Sequence, residues 1–454
     1  MITELSATNF KSWKCIDRMG FASLTGLFGT NSSGKTSILQ LLLMLKQTFE
    51  SSDRAQVLEF GDEKSLTNLG SFREVVYNHD KTSGIDFSLG WNLPKELIIK
   101  DPDSKTSTLF STNRLAFSCK VGENGADRLA VSSLAYELDS QRFELKRKGQ
   151  AGLKYELLNE DEGFRLVRTQ GRPWDLPSPV KFYGFPDQVY AYYQNAGFLA
   201  DLQLAFESLF GQVYYLGPLR EFPQRYYTWS GSEPADMGRR GERVVDALLA
   251  ARQRGPYISP GYKRKRQTIE ERVAYWLKQL GLIYDFKVEP IAEHSSIYQV
   301  RVQKTPFSAK VLITDVGFGV SQILPVLALC YYVPEGSILL LEQPEIHLHP
   351  SVQSGLADVL IDVVKNRRLQ IIVESHSEHL LRRLQRRIAD TTITPDQTAL
   401  YFCEAGDAGS ELRRLDVDLF GLITNWPKDF FGDEFSELAA ITRAKMERKM
   451  GQRK

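Results

Sequence analysis

The sequence predicts an α/β fold, a mixed sheet with helices packed on it, and three stretches predict it. Leu24 to Phe28 is a short apolar run that enters Gly29-Thr30-Asn31-Ser32-Ser33-Gly34-Lys35-Thr36, followed by a helix-like pattern from Ser37 to Phe49. Ile338 to Leu341 are all apolar and end in Glu342, Gln343, Pro344 and Glu345. Leu369 to Val373 is a third apolar run, ending in the small polar turn Glu374-Ser375-His376. Short apolar runs bounded by Gly, Pro and Ser read as buried strands, and the longer patterns between them as helices.

The first stretch has the pattern GxxxxGK[ST] between a strand and a helix, the setting in which backbone N–H groups curl around phosphate oxygens. The helix N-terminus adds partial positive charge. Gly29, Asn31, Ser33, Gly34, Lys35, Thr36 and Ser37 are therefore the candidate phosphate-binding residues. Lys35 is expected to reach the β- and γ-phosphates of a nucleotide and Thr36 to ligate Mg²⁺. The bland alternative is a Gly/Ser-rich turn with a solvated lysine. The second stretch delivers a carboxylate from a buried strand, and a buried acid is costly unless a cation compensates it. Glu342 is thus the candidate Mg²⁺ acid.

A further loop, Asp315-Val316-Gly317-Phe318-Gly319-Val320-Ser321, precedes an apolar helical run from Ile323 to Tyr332. Gly317, Gly319 and Ser321 at a helix start form a second anion-receptive loop; the alternative is glycines that merely permit a tight turn. Between the phosphate loop and the acidic strand lie about three hundred residues, more than one domain's length.

This order, together with Leu5 to Trp13 as a first strand, resembles the ABC-class ATPases of the SMC, RecF and OLD type. In those, two sequence-distant lobes form one ATP-binding head. Tyr215 to Pro223 and Gly238 to Glu242 are similar to segments of prokaryotic stand-alone ATPases of the AAA_15/AAA_21 kind. Ile423 to Phe431 resembles a small C-terminal domain of unknown function found in one subgroup. The resemblance implies an ABC-type ATPase head assembled from N- and C-terminal lobes, with ATP and Mg²⁺ as its ligands. It implies that Gly317, Gly319 and Ser321 stand where the signature loop stands, contacting the γ-phosphate held by a second subunit. His376 matches the γ-phosphate-sensing switch histidine, and Leu348-His349-Pro350 the loop that crosses a head-to-head dimer. Gln40 or Gln47 are candidates for the glutamine that lines the Mg²⁺ site. Such proteins act as ATP-gated switches, often as sensors in anti-phage systems with a separate effector that is frequently a nuclease.

Gln343 stands where many relatives carry a glutamate acting as general base. An amide cannot take a proton from water at neutral pH, although it can orient the water. Glu345 is the alternative base. Slow turnover and a long-lived ATP-bound dimer are expected if Gln343 occupies the base position. His347, His349, His376 and His379 also have spacings compatible with zinc, a rival reading.

The expected organisation is an N-terminal ATPase lobe at 1–90, a β-rich insertion at 91–210, and a helical or linker insertion at 211–310. A C-terminal ATPase lobe at 311–390 and a small C-terminal domain with a basic tail at 391–454 complete it. Short alternating runs near Ile85, Leu115 and Tyr155 mark the β-rich part, with a turn at Gly122 to Gly125. Val244, Leu248, Leu249, Val273, Trp276, Leu277 and Leu280 keep helical spacing.

The net charge of +1 argues neither for nor against nucleic acid. A local run, Lys263-Arg264-Lys265-Arg266 with Tyr257 and Tyr262 nearby, could bind a nucleic-acid backbone, as in a RecF-like DNA-repair ATPase; an exposed loop is the commoner meaning. Arg382, Arg383, Arg386 and Arg387 form a basic helical face. A nuclease site at Asp416 and Asp418 is disfavoured, because Leu415, Val417 and Leu419 make the acids the wet side of a strand. The four cysteines show no CxxC spacing and read as buried small hydrophobes in a reducing cytosol. No signal peptide is read at Met1, and the longest apolar run, near Val326 to Val333, is too short for a bilayer. A cytoplasmic protein without membrane contact is expected.

Overall fold

The structure is a computed structural model. It describes residues 1–80, 82–100, 108–124, 128–139, 141–149, 152–159, 164–172, 175–255, 257–259, 261, 263–427, 442–443 and 445. Among these residues the strands form three sheets.

The first sheet is antiparallel. It contains β1 (Ile2–Phe10), β2 (Trp13–Gly20), β4 (Ile85–Lys100), β5 (Thr108–Glu123), β6 (Leu129–Leu138), β7 (Gln141–Arg147) and β8 (Tyr155–Asn159), in the order β2-β1-β4-β5-β6-β7-β8. The second sheet contains β3 (Leu24–Gly29), β9 (Val213–Leu216), β14 (Ile338–Glu342), β15 (Gln370–Glu374), β16 (Thr398–Gly406) and β17 (Gly409–Arg414). Its order is β17-β16-β3-β15-β14-β9, and every pairing but the β16–β17 hairpin is parallel. A small sheet holds β10 (Tyr227–Thr228), β11 (Asp285–Pro290), β12 (Ile297–Gln303) and β13 (Lys310–Leu312).

The helices are α1 (Lys35–Glu50), α2 (Phe72–Val75), α3 (Gln188–Tyr192), α4 (Leu199–Gly211), α5 (Val244–Arg254), α6 (Ile269–Gln279), α7 (Phe318–Tyr332), α8 (Pro350–Arg367) and α9 (Glu378–Ala389).

The parallel strands are unbroken apolar runs because both faces of their sheet are covered. Ile338 and Leu340 of β14 enter one core, with α1, α4 and the antiparallel sheet. Leu339 and Leu341 enter the other, with α5 to α9. The period-2 alternation of a strand therefore divides the molecule into layers. Helix α1 lies between the two sheets, which explains why Ile38, Leu39, Leu41, Leu42, Leu43, Met44 and Leu45 are all buried.

Several expectations change. β1 and β2, expected with the ATPase lobe, pair into the antiparallel sheet, and β4 runs through position 90. Of the runs read as short strands, those near Ile85 and Leu115 belong to the 16-residue strands β4 and β5, while that at Tyr155 is the short β8. Gly125 and Tyr262 lie outside the described residues. β16, expected in a separate C-terminal domain, pairs with β3 inside the parallel sheet, where Thr398 to Cys403 are buried. The strand expected at Leu415 to Leu419 is a turn instead. Asp418 accepts from the N–H groups of Phe420 and Leu422, Gly421 has a φ of 77°, and Leu419 is exposed. Cys15 is exposed rather than buried, because it sits on the outer face of β2 between Trp13 and Ile16. The arginine face of α9 is divided: Arg383 and Arg387 pair with Asp358 of α8, while Arg382 pairs with Glu378. Most of the predicted basic tail, and Lys428 to Phe431, lie outside the described residues.

Candidate nucleotide-binding site

β3, β15, β14 and β9 lie side by side and parallel, so their C-terminal ends make one rim. In open α/β sheets this is the edge where ligands bind.

β3 delivers the glycine-rich loop. Gly29, Ser32 and Gly34 have φ of 139°, 58° and 87°. A Cβ on Gly29 would meet the Cys403 carbonyl oxygen at 2.0 Å, so that position accepts only glycine. The Trp13 indole donates to the Gly34 carbonyl at 2.9 Å, and the Ser12 and Ser410 hydroxyls stand 2.7 Å apart beside it. The loop is thus pinned from β2 and β17. Helix α1 starts without a side-chain cap and without an acid in its first turn, which leaves its N–H groups and dipole open to an anion.

Lys35 is buried, and its ammonium donates to the carbonyls of Gly29 and Thr30 and lies 3.4 Å from the Ser33 hydroxyl. Burial lowers its pKa, against the raising influence of Glu374, Cys403 and Glu345. The Ser33 hydroxyl donates to the Thr30 carbonyl. Ser37 is buried in the first turn of α1, and Asn31 is exposed at the loop tip.

The Thr36 hydroxyl donates to Glu374 Oε1 at 2.9 Å. Thr36 and Glu342 are the expected Mg²⁺ residues. Glu374, on the strand between β3 and β14, accepts the Thr36 hydroxyl. Burial and the Glu342 charge push the Glu374 carboxyl up to about 7, although Thr36 and Lys35 oppose the shift. Glu342 accepts from the Tyr215 hydroxyl at 2.6 Å and is itself raised by burial. Glu345 is 5 % exposed, accepts the His376 N–H at 2.7 Å, and is likewise raised by burial. Gln343 holds a left-handed φ of 42°, and its N–H donates to the Glu374 carbonyl. The His376 ring lies near Lys35 and the Gly29 carbonyl; burial and then Lys35 lower its pKa, which favours the neutral ring, while the Gly29 carbonyl opposes the shift.

The rim therefore unites Gly29 to Ser37, Glu342, Gln343, Glu345 and His376. It does not include Gly317, Gly319 and Ser321. These open α7, where the Ser321 hydroxyl donates to the Phe318 carbonyl and Gly317 is exposed with nothing within 4 Å of a Cβ. Phe318 packs against Phe222 and His347 at centroid distances of 5.6 and 5.4 Å. His349 caps α8. Among the described residues no trio of His, Cys, Asp or Glu is placed to hold a metal, so the four-histidine arrangement is not a preformed cage. Gln47 commits its amide to the Glu59 carbonyl and the Thr67 N–H, away from the rim. Lys263 to Arg266 are exposed beyond the bridge between Ile258 and Gln267.

Sequence reasoning missed Glu374, Tyr215 and Arg220 as rim residues. Glu374 carries the same signal as Glu342, an apolar strand ending in an acid. Arg220 has no such local signature.

Mg²⁺ fits this donor set. The hard oxygens of Thr36, Glu342 and Glu374 suit it, and Glu374 Oε2 is buried with no partner. Mg²⁺ typically takes one or two carboxylates plus substrate phosphates rather than an all-protein cage.

Residues 257–381 match the family described as "AAA ATPase domain" (AAA_15). That match covers about a quarter of the chain. The matched part includes Gly317 to Ser321, Glu342 to Glu345, Glu374 and His376, while the candidate phosphate loop joins it through β3. Residues 393–441 match a family described as "Protein of unknown function (DUF3696)". No curated protein matches the chain. Among solved structures, the chain is similar to an SMC head bound to the C-winged helix domain of ScpA, at 11% identity and a TM-score of 0.45, covering 92% of this chain and 98% of that one. The SMC head domain from Thermotoga maritima matches at 11% identity and a TM-score of 0.40, covering 92% and 99%. An SMC head with an extended coiled coil, bound to the C-terminal domain of ScpA derived from Pyrococcus furiosus, matches at 10% and 0.38, covering 91% and 96%. No helix among the described residues is long and apolar enough to cross a membrane.

Proposed function

We propose that this ATPase is a dimeric, slowly hydrolysing ATP switch that gates a separate effector protein in the cytoplasm. The observation that carries the reading is the Thr36–Glu374 hydrogen bond, which joins the phosphate loop to the acidic rim. Lys35 leaves its loop carbonyls for the β- and γ-phosphates. Thr36, Glu342 and Glu374 would hold Mg²⁺, which would supply charge neutralisation at the phosphates. Gln343 orients water without accepting its proton. Glu345, made more basic by burial, takes that proton as the water oxygen bonds to the γ-phosphorus and the bond to the ADP oxygen breaks. Neutral His376 donates toward the γ-phosphate. Residues 1–90 and 311–390, joined in the parallel sheet by β9, β16 and β17, would supply the two lobes of the head.

Gly317 and Phe318 are exposed at the start of α7, Gly319 is half-buried and Ser321 buried just behind them; a second copy meeting this helix start would complete the site, and the exposed Phe222 and Phe318 suit an interface. The effector is most simply a nuclease, and the setting prokaryotic anti-phage defence. Single-turnover hydrolysis at saturating ATP tests the timer. The wild type should be slow, and Glu345→Gln should slow it a further ~100-fold or more. A fast rate unaffected by Glu345→Gln would remove the idea.

A second reading, a DNA-binding ATPase, is favoured by the exposure of all four side chains from Lys263 to Arg266. It requires duplex binding that depends on ATP and weakens with salt.

A further inference from the structure

Arg220 is a buried charge that the proposed reaction leaves unused. It stands in the loop just past β9, and Leu216 of β9 pairs with Leu341 of β14, so that loop leaves the sheet beside Glu342. Its side chain is 6 % exposed, and none of Nε, Nη1 and Nη2 has a hydrogen-bond partner. Glu342 and Glu345 are near enough to act on it electrostatically. Yet among the described residues no ion pair joins it to a carboxylate.

A guanidinium carries five N–H donors, and enclosing it unbonded is expensive. A counter-ion serving only to hold the acids would be expected to form the pair. On the same rim Glu345 Oε2 and Glu374 Oε2 are also buried without a donor. The orphans are complementary: the acids lack a cation and the guanidinium lacks an anion. Mg²⁺ with a phosphate supplies both. Lys35, at the start of α1, acts on the same Glu345 carboxylate, so two cations from different elements approach one place.

We propose that Arg220 donates to the terminal phosphate of bound nucleotide and so distinguishes a triphosphate from a diphosphate. This rests on the reading of the rim as a nucleotide site. Titration calorimetry in Mg²⁺ tests it with ADP and the non-hydrolysable β,γ-imido analogue of ATP. The proteins are wild type, Arg220→Ala, Arg220→Lys and Lys35→Ala.

Arg220→Ala should weaken the analogue about tenfold to a hundredfold and ADP less than about twofold. Arg220→Lys should lose less, since it keeps the charge and not the fork. Equal weakening of both nucleotides, or of neither, overturns the proposal. Should the alanine variant fail to fold, the lysine variant decides by the same criterion: an analogue-selective loss supports it and no selective loss overturns it. Wild type binding neither nucleotide, or Lys35→Ala binding both as wild type does, overturns the nucleotide reading itself and Arg220's role with it.

Discussion

Arg220 and Arg272 are both buried arginines of one molecule, and their surroundings are opposite. Arg272 of α6 donates to Asp362 of α8 at 2.7 Å, and Asp362 also accepts from the Tyr331 hydroxyl of α7 and from Asn366. The Trp276 indole donates to the same Tyr331 oxygen, and the guanidinium stacks over Tyr275 at 4.7 Å. Burial pulls the Arg272 pKa down, but Tyr331 and Asp362 outweigh it and the net shift is upward. For Arg220 burial wins, and the guanidinium falls to about 10. A satisfied buried network fixes how three helices pack. An unsatisfied one fixes nothing of the kind and is open to a ligand's charge.

The largest expected effect breaks the satisfied network. Asp362→Ala strands Arg272 and Tyr331 without their acceptor, and breaking a buried pair from one side costs about 3–5 kcal/mol. The melting midpoint of the nucleotide-free protein should fall clearly. Arg220→Leu should leave that midpoint unchanged or higher, because it removes a buried charge that no hydrogen bond satisfies. Equal destabilisation by the two variants would show that Arg220 is as well satisfied as Arg272, and the contrast would disappear.

A smaller effect comes from the acids beside Arg220. Glu374 titrates at about 7 when folded, above its ordinary value of 4.5, because of burial and the Glu342 charge. Between those two values the folded state keeps a proton that the unfolded chain has released. The nucleotide-free protein therefore loses stability as pH rises through that window, by on the order of 3 kcal/mol at most from this group. Glu374→Gln should flatten that slope and stabilise the nucleotide-free protein above pH 7. A denaturation series from pH 5 to 8 checks it; an unchanged slope in the variant would place the proton elsewhere.

How legible the site was follows the same division. The phosphate loop is local in sequence, since one turn and one helix start supply its donors, so Gly29 to Ser37 could be read directly. Strand-tip acids were readable too, because an apolar run ending in a carboxylate is a local pattern; Glu374 shows it as plainly as Glu342. Arg220 was not readable, because its meaning depends on β9 pairing with β14 across the fold. The layers were legible only in part. The apolar run of β14 announces burial on both faces. Nothing local says that β1 pairs with β4 rather than with β3, or that β16 joins β3.

The smallest expected effect concerns cations that water already solvates. Arg264 and Lys265 are exposed on the loop before α6. Arg264→Glu with Lys265→Glu should change stability by no more than about 0.5 kcal/mol and leave nucleotide binding as in wild type. If the loop grips a nucleic-acid backbone, the same pair should weaken ATP-dependent duplex binding at every sequence. The dependence of log affinity on log salt should also become shallower, by about one unit for each phosphate that the loop no longer neutralises. Duplex affinity unchanged by the reversal would assign the run to solubility alone, and leave the rim around Arg220 as the place where buried charge calls for a ligand.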